Sequence, residues 1–230
     1  MPVAVITGAS RGLGRALARE LARREWHLVL DARGAEDLGA VQAQLPGGQH
    51  HALAGDVTDH THRAALVAAA RALGGASLLV NNASSLGASP LPAFGDLDPA
   101  TYVEILRVNL VAPMALTAAL LPQLRRHDGR VLNISSDAAV EPYESWGGYG
   151  SSKAALDHAG RVLAAEEPEL RVYSLDPGDM RTRMHQDAFP GEDISGLPEP
   201  ETVVPAVLSL LDGDLPSGRY VAGELVKVAA

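Results

Sequence analysis

The sequence predicts an α/β protein built on a doubly wound parallel sheet of about seven strands, with helices on both faces in three layers. Three observations predict it. Short apolar runs alternate along the chain with longer segments of helical spacing. The apolar runs are continuous rather than alternating, as strands buried on both faces require. The first run feeds a glycine-rich turn that opens a helix, which is how a βαβ unit begins.

The elements follow in order. Val3–Thr7 is the first apolar run. Leu13, Leu17 and Leu21 then recur every four residues, on one face of a helix. His27–Asp31 is the second run, and a third precedes Asp56. Leu66, Ala70 and Leu73 repeat the helical spacing before the run Ser77–Asn81. A long helical pattern between Pro99 and Leu124 carries Tyr102, Ile105, Leu106, Leu110, Met114 and Leu121. Arg130–Ser135 and Leu170–Leu175 are further strands. Arg183 to Pro200 breaks the rhythm with Phe189-Pro190-Gly191 and Pro198-Glu199-Pro200. It reads as a loop, longer than the roughly 2–6 residues usual for such connections, and loops of that kind are mostly functional. No composition shift marks a linker. The expectation is a single domain over residues 1–230 with an insertion at about 183–200.

Composition narrows the function. A chain of 230 residues buries enough surface to fold without disulfide or metal. It has no cysteine, which excludes disulfides, thiolate catalysis and thiolate metal sites and suits a reducing, cytoplasmic setting. Its 19 basic against 28 acidic residues give a net charge of -9 with no basic block, which argues against nucleic acid or an anionic membrane as partner. Met1–Ala4 shows no basic leader, and the uncharged stretch Val108–Leu124 is short and polar for a membrane span. The histidines show no ligand spacing with acids, so no catalytic metal is expected.

In Thr7-Gly8-Ala9-Ser10-Arg11-Gly12-Leu13-Gly14, Gly8 can turn the chain sharply out of the strand. Gly12 admits a phosphate close to the backbone, Gly14 lets helix and sheet approach, and the helix N-terminus offers free N–H groups to a pyrophosphate. After the second strand, Ala32 stands where an acid would hold the ribose hydroxyls of NAD; Arg33 follows it. Arg11 and Arg33 could together clamp the 2′-phosphate of NADP. Both read equally as solvated surface charge, and a one-residue slip in register would put Asp31 on the ribose.

These residues resemble the short-chain dehydrogenases/reductases in their single-domain form. Thr7–Gly14 is similar to the family's TGxxxGxG, Asn81-Asn82-Ala83-Ser84 to its NNAG, and Asn133-Ile134-Ser135-Ser136 to its serine strand. Tyr149-Gly150-Ser151-Ser152-Lys153 is similar to its YxxxK, and Pro177 to Thr182 to its PGxxxT. Ser84 departs from the glycine and widens a side chain beside the cofactor. The resemblance implies a Rossmann-type fold and a catalytic set of Asn109, Ser136, Tyr149 and Lys153. It implies cofactor contacts from Gly8, Ser10, Arg11, Gly12, Leu13, Gly14, Arg33, Asp56, Val57, Asn82, Ala83, Tyr149, Lys153, Pro177, Gly178, Met180 and Thr182. Asp56 reads equally as a turn residue.

A tyrosine and a lysine four apart share a helix face. An ammonium close to the phenol should lower its pKa and make Tyr149 a general acid or base. Ser136, 13 residues earlier, should orient the substrate oxygen, with Ser135 on the opposite face of its strand. Pro113 cannot donate to the Asn109 carbonyl, which should leave it free for a water that relays protons through Lys153, or should simply kink the helix. Tyr143, Trp146 and Phe189 on the segments 137–148 and 183–200 suit a lid over an organic carbonyl compound, or loop anchors. The expectation is an NADP(H)-dependent carbonyl reductase or alcohol dehydrogenase, a homodimer or homotetramer, preferring NADP(H) to NAD(H). The alternative is a non-catalytic NADP-binding redox sensor.

Overall fold

The computed structural model describes the backbone of residues 1–228 and side chains through Leu225. Its strands are β1 (Val3–Ile6), β2 (His27–Ala32), β3 (His50–Ala54), β4 (Leu78–Asn81), β5 (Arg130–Ile134), β6 (Arg171–Asp176) and β7 (Gly218–Val221). They form a seven-stranded sheet in the order β3-β2-β1-β4-β5-β6-β7, every neighbour parallel. The doubly wound, Rossmann-type fold is therefore observed.

The helices are α1 (Gly12–Arg23), α2 (Ala35–Ala43), α3 (His60–Ala72), α4 (Pro99–Leu106), α5 (Ala112–Leu124), α6 (Gly147–Glu166), α7 (Arg183–Ala188), α8 (Val204–Asp212) and α9 (Ala222–Val228). They build two cores, one on each side of the sheet. Ala4, Ile6, Leu28 and Leu30 pack with Leu13, Leu17 and Leu21 of α1 and with Val207 and Leu210 of α8. Val3, Val5 and Val29 pack on the other side with Leu66 and Ala70 of α3 and with Leu116, Leu120 and Leu124 of α5. Adjacent strand residues thus serve opposite cores, which is the physical reason the strands read as unbroken apolar runs.

Two segments differ from their sequence reading. The insertion is not a plain loop: Arg183–Ala188 is a helical turn capped by Thr182, whose hydroxyl accepts the His185 N–H at 3.2 Å. Six residues are too few for apolar periodicity to show. The Pro99–Leu124 pattern is also not one α-helix with a kink. Arg107–Val111 is a π-helical turn in which the Ala112 N–H reaches back to the Arg107 carbonyl. Pro113, which lacks an N–H, sits in the first turn of the helix that restarts beyond it. The continuous run Pro99–His127 is long and apolar enough to cross a bilayer by length and composition. Polar bonds nonetheless tie it into the domain: Asn81 Nδ2 donates to Thr117 Oγ1 at 3.2 Å, and Gln123 Nε2 to the Val67 carbonyl at 3.0 Å.

Candidate active site

The sheet order reverses between β1 and β4, and a cleft opens beyond their carboxyl ends, where such folds hold ligands. Its volume is about 780 Å³. At one end, Gly8 (φ 66°) and Gly12 (φ 54°) adopt left-handed backbone. A Cβ on Gly14 would lie 2.5 Å from the Gly8 carbonyl oxygen, so only glycine lets α1 start this close to the loop. Arg11 makes no side-chain cap and the first turn of α1 has no acid, which leaves its N–H groups for an anion. These residues fit the pyrophosphate of a dinucleotide.

Asn82 lines the cleft and also holds the glycine turn. Its amide donates to the Thr7 carbonyl at 2.8 Å and the Gly8 carbonyl at 3.1 Å, so it clamps the glycine turn. Thr7 Oγ1 accepts the N–H groups of Asn82 and Ala83, each at 3.0 Å. Leu13 buries its side chain in the core, which leaves only its backbone for the cleft. Asp56 is a turn residue that also lines the cleft: its carboxylate accepts the Thr58 N–H and hydroxyl, both at 2.8 Å. Those bonds, with Arg33 nearby, hold its carboxyl below the usual range.

At the end of β2, Asp31, Ala32 and Arg33 all line the cleft. Asp31 belongs to the α3 side, is 2% exposed, and meets His62 Nε2 at 2.6 Å. Burial pushes the Asp31 carboxyl up; His62 and the Gly8 N–H pull the other way. Its carboxylate is thus already engaged, while Ala32 packs in the α1 core and Arg33 is exposed at the cleft. The sequence shows no spacing that pairs His62 with an acid. Nothing local could have paired groups 31 positions apart on a strand and a helix.

At the other end, Tyr149 and Lys153 project from α6. The expectation that Lys153 lowers the Tyr149 pKa is not met. Burial pushes the phenol up to about 12; Ser84 acts against this, and Asp137 and Asp176 reinforce it. Lys153 Nζ donates to the Ile134 carbonyl at 2.7 Å and lies 5.4 Å from the Tyr149 ring centre. Burial also brings Lys153 itself down to about 8. Burial thus disfavours the charged form of both groups.

Asn109 sits in the π turn and is fully buried. Its Oδ1 accepts Ser84 Oγ at 3.1 Å and the Ser85 N–H at 2.8 Å. Its Nδ2 donates to the Ser85 carbonyl and to Ser152 Oγ, both at 2.9 Å. Asn109 therefore ties the end of β4 to the Tyr149 helix. Ser136 faces the cleft and donates to Asp137 Oδ1 at 3.0 Å; Asp137 Oδ2 takes the Tyr143 hydroxyl at 2.9 Å. Ser135 Oγ is buried without a partner. Trp146 packs edge-on against Tyr149 at 5.6 Å and on Phe189 at 5.8 Å, which joins the two expected lid segments over the phenol.

Behind the serine, Arg219 of β7 donates to Asp157 Oδ2 at 3.2 Å, to the Ser136 carbonyl at 3.0 Å and to Asp176 Oδ2 at 3.1 Å. Asp176 also accepts the Gly178 N–H at 3.0 Å and so shapes the Pro177–Gly178 turn. No motif flags Arg219. Of the expected site residues, Gly14 and Asn109 stand behind the cleft, and all the others line it.

A dinucleotide cradle at one end and a tyrosine–lysine–serine cluster at the other define the class, a nicotinamide-cofactor oxidoreductase. The chain matches the family model for short chain dehydrogenase over residues 2–193, and it belongs to that family. It is 41% identical over 199 residues to the sepiapterin reductase of Xenopus laevis, spanning 80% of this chain and 75% of that one. A short chain dehydrogenase structure from Pseudomonas syringae superposes with a TM-score of 0.88 at 30% identity, covering 96% of this chain and 94% of that one. An alcohol dehydrogenase from the archaeon Thermococcus sibiricus, complexed with 5-hydroxy-NADP, superposes with a TM-score of 0.84 at 30% identity, covering 96% and 95%.

Proposed function

We propose that this protein is an NADP(H)-dependent carbonyl reductase or alcohol dehydrogenase. The observation that carries the reading is the division of the cleft. Tyr149, Ser136 and Lys153 converge at one end; at the other Arg11 and Arg33 stand open while Asp31 is held by His62. A free carboxylate would favour a ribose diol, and two guanidinium groups favour a 2′-phosphate.

When bound, the nicotinamide supplies or accepts the hydride. The protein's residues manage the proton. Tyr149, with its phenol pushed up to about 12, is protonated at neutral pH and suited to give its proton to a carbonyl oxygen. Ser136 turns its hydroxyl from Asp137 to the same oxygen. Lys153 steadies the end of β5 through the Ile134 carbonyl and faces the cleft, where a ribose hydroxyl would find it. Trp146, Met184 and Leu86 give the substrate end an apolar wall.

Val103, Val111 and Met114 are each about half exposed on the outer face of α4–α5. We assign that face to a subunit contact in a homodimer or homotetramer, acting in the cytoplasm. The chain then works as a single cofactor-binding catalytic domain. The test is cofactor oxidation across ketones, aldehydes, quinones and acyl thioesters, with NADPH and NADH in parallel and Tyr149→Phe as the blank. The expected loss in Tyr149→Phe is at least about a hundredfold. Turnover that survives the substitution, or that prefers NADH, would overturn the corresponding half of the proposal.

A further inference from the structure

We propose that Arg219 is the positioning residue of the serine end of the cleft. Its guanidinium, reaching in from the edge strand β7, holds the Ser136 backbone to the helix that carries Tyr149 and Lys153 and to the end of β6. The inference rests on Ser136 orienting the substrate oxygen. It adds a residue that stands behind the cleft wall and acts through the serine.

The argument starts from register. Arg219 lies beside Ser174 of β6, two residues before Asp176, so its side chain shares a sheet face with both. From there one planar fork reaches three elements. Nε donates to Asp157 Oδ2 at 3.2 Å, one turn beyond Lys153 on α6. Nη2 donates to the Ser136 carbonyl at 3.0 Å and to Asp176 Oδ2 at 3.1 Å. Both carboxylates are buried, and Asp157 has no other hydrogen-bond partner among the described residues.

Ser136 has little else to fix it. Its hydroxyl donates to Asp137 and accepts the Ala138 N–H at 3.2 Å, and its carbonyl accepts the Ala139 N–H at 3.1 Å. Those partners all lie in its own turn. Among the described residues, Arg219 gives Ser136 its one bond from a distant element. The place of the hydroxyl follows from the place of this backbone, and a displacement of about 1 Å in a reacting group can cost about a hundredfold in rate. A lysine would keep the attraction to the two carboxylates, but it is a compact charge on a flexible stem and lacks the planar fork that fixes the carbonyl.

The test uses the full chain and two variants. R219K keeps the charge and loses the fork; R219Q keeps an N–H donor and loses the charge. Hydrogen exchange read by mass spectrometry follows the segment 136–139, which holds the bonded Ala138 and Ala139 amides. That segment should exchange about tenfold faster in both variants, while the glycine turn at 8–14 keeps its natural rate. Where a carbonyl compound is reduced, kcat should fall by about ten- to hundredfold, with the NADPH dissociation constant held within about threefold. In a Ser136→Ala background the same substitutions should cost no more than about a further twofold, because residues that act as a unit are not additive. A role in general stability predicts the reverse: faster exchange throughout the sheet, and equal losses of kcat in both backgrounds. Either result, or a natural exchange rate at 136–139, would overturn the proposal. The exchange readout needs no turnover, so a failure of the proposed function shows separately, as activity retained in Tyr149→Phe.

Discussion

Replacing Lys153 with methionine should make the cofactor-free protein more stable at neutral pH. Lys153 is 2% exposed and its ammonium has the Ile134 carbonyl as hydrogen-bond partner at 2.7 Å. Burial lowers its pKa from 10.5 to about 8. At about 1.4 kcal/mol per pH unit, that shift penalises the charged side chain by roughly 3 kcal/mol. Methionine removes the penalty at nearly the same length, but forfeits the bond to Ile134 and leaves its carbonyl without that donor, a cost of about 1 kcal/mol. The net gain is therefore about 2 kcal/mol. Its pH dependence has a definite sign. The unfolded lysine keeps its proton up to 10.5, and the folded one releases it near 8. Between those values the unfolded state binds more protons, so the natural chain gains stability as pH rises and loses it as pH falls to 8. The advantage of methionine should be full below that point and shrink above it. Urea unfolding of both proteins, at several pH values from about 6.5 to 9.5, measures the gap. A methionine variant that is less stable at neutral pH, or a gap that ignores pH, would refute the reasoning. The same variant should lose turnover, because a lysine that costs stability is kept for what it does in the cleft.

Two further outcomes are expected. Arg33→Ala should weaken NADPH binding by roughly ten- to hundredfold, the worth of a charge-assisted hydrogen bond, with NADH nearly unchanged by calorimetry. His62→Ala should destabilise the fold by about 1–3 kcal/mol near neutral pH, because it strips a buried carboxylate of its side-chain partner. Burial raises the Asp31 carboxyl, so this loss should diminish in acid as Asp31 takes up a proton, which denaturation curves at two pH values would show. An unchanged difference would mean that Asp31 does not carry the charge.

The sequence makes the cleft legible because its parts are written in contiguous segments. The glycine turn, the Tyr149–Lys153 spacing and the Pro177–Thr182 segment each need only a few neighbouring residues to be recognised, and the parallel sheet then brings them together. What was not legible depends on contacts across the fold. The sequence leaves Asp31 open as a ribose-facing acid should the register slip by one, and only the fold puts His62 beside it. The spacing of Tyr149 and Lys153 correctly shares a helix face, but it cannot show that both side chains are buried, which raises the phenol and lowers the ammonium. Pro113 signals a disturbed helix without saying that the disturbance is a widened turn holding Asn109. Arg219 has no local signature, since its partners come from three separate elements.

That arginine has a consequence for how the enzyme comes into being. The glycine turn, its Asn82 clamp and the Asp31–His62 pair all lie before residue 83, and the sheet adds strands outward from β1 on either side. A ribosome releases these parts first. The Ser136 carbonyl, however, receives its bond from a side chain on the outermost strand, more than 80 positions later. A growing chain thus has its glycine turn and the Asn82 clamp well before it has the arginine that holds its serine. The Ser136 carbonyl therefore gains its arginine only once the edge strand has docked, and the serine end of the cleft is the last to be fixed.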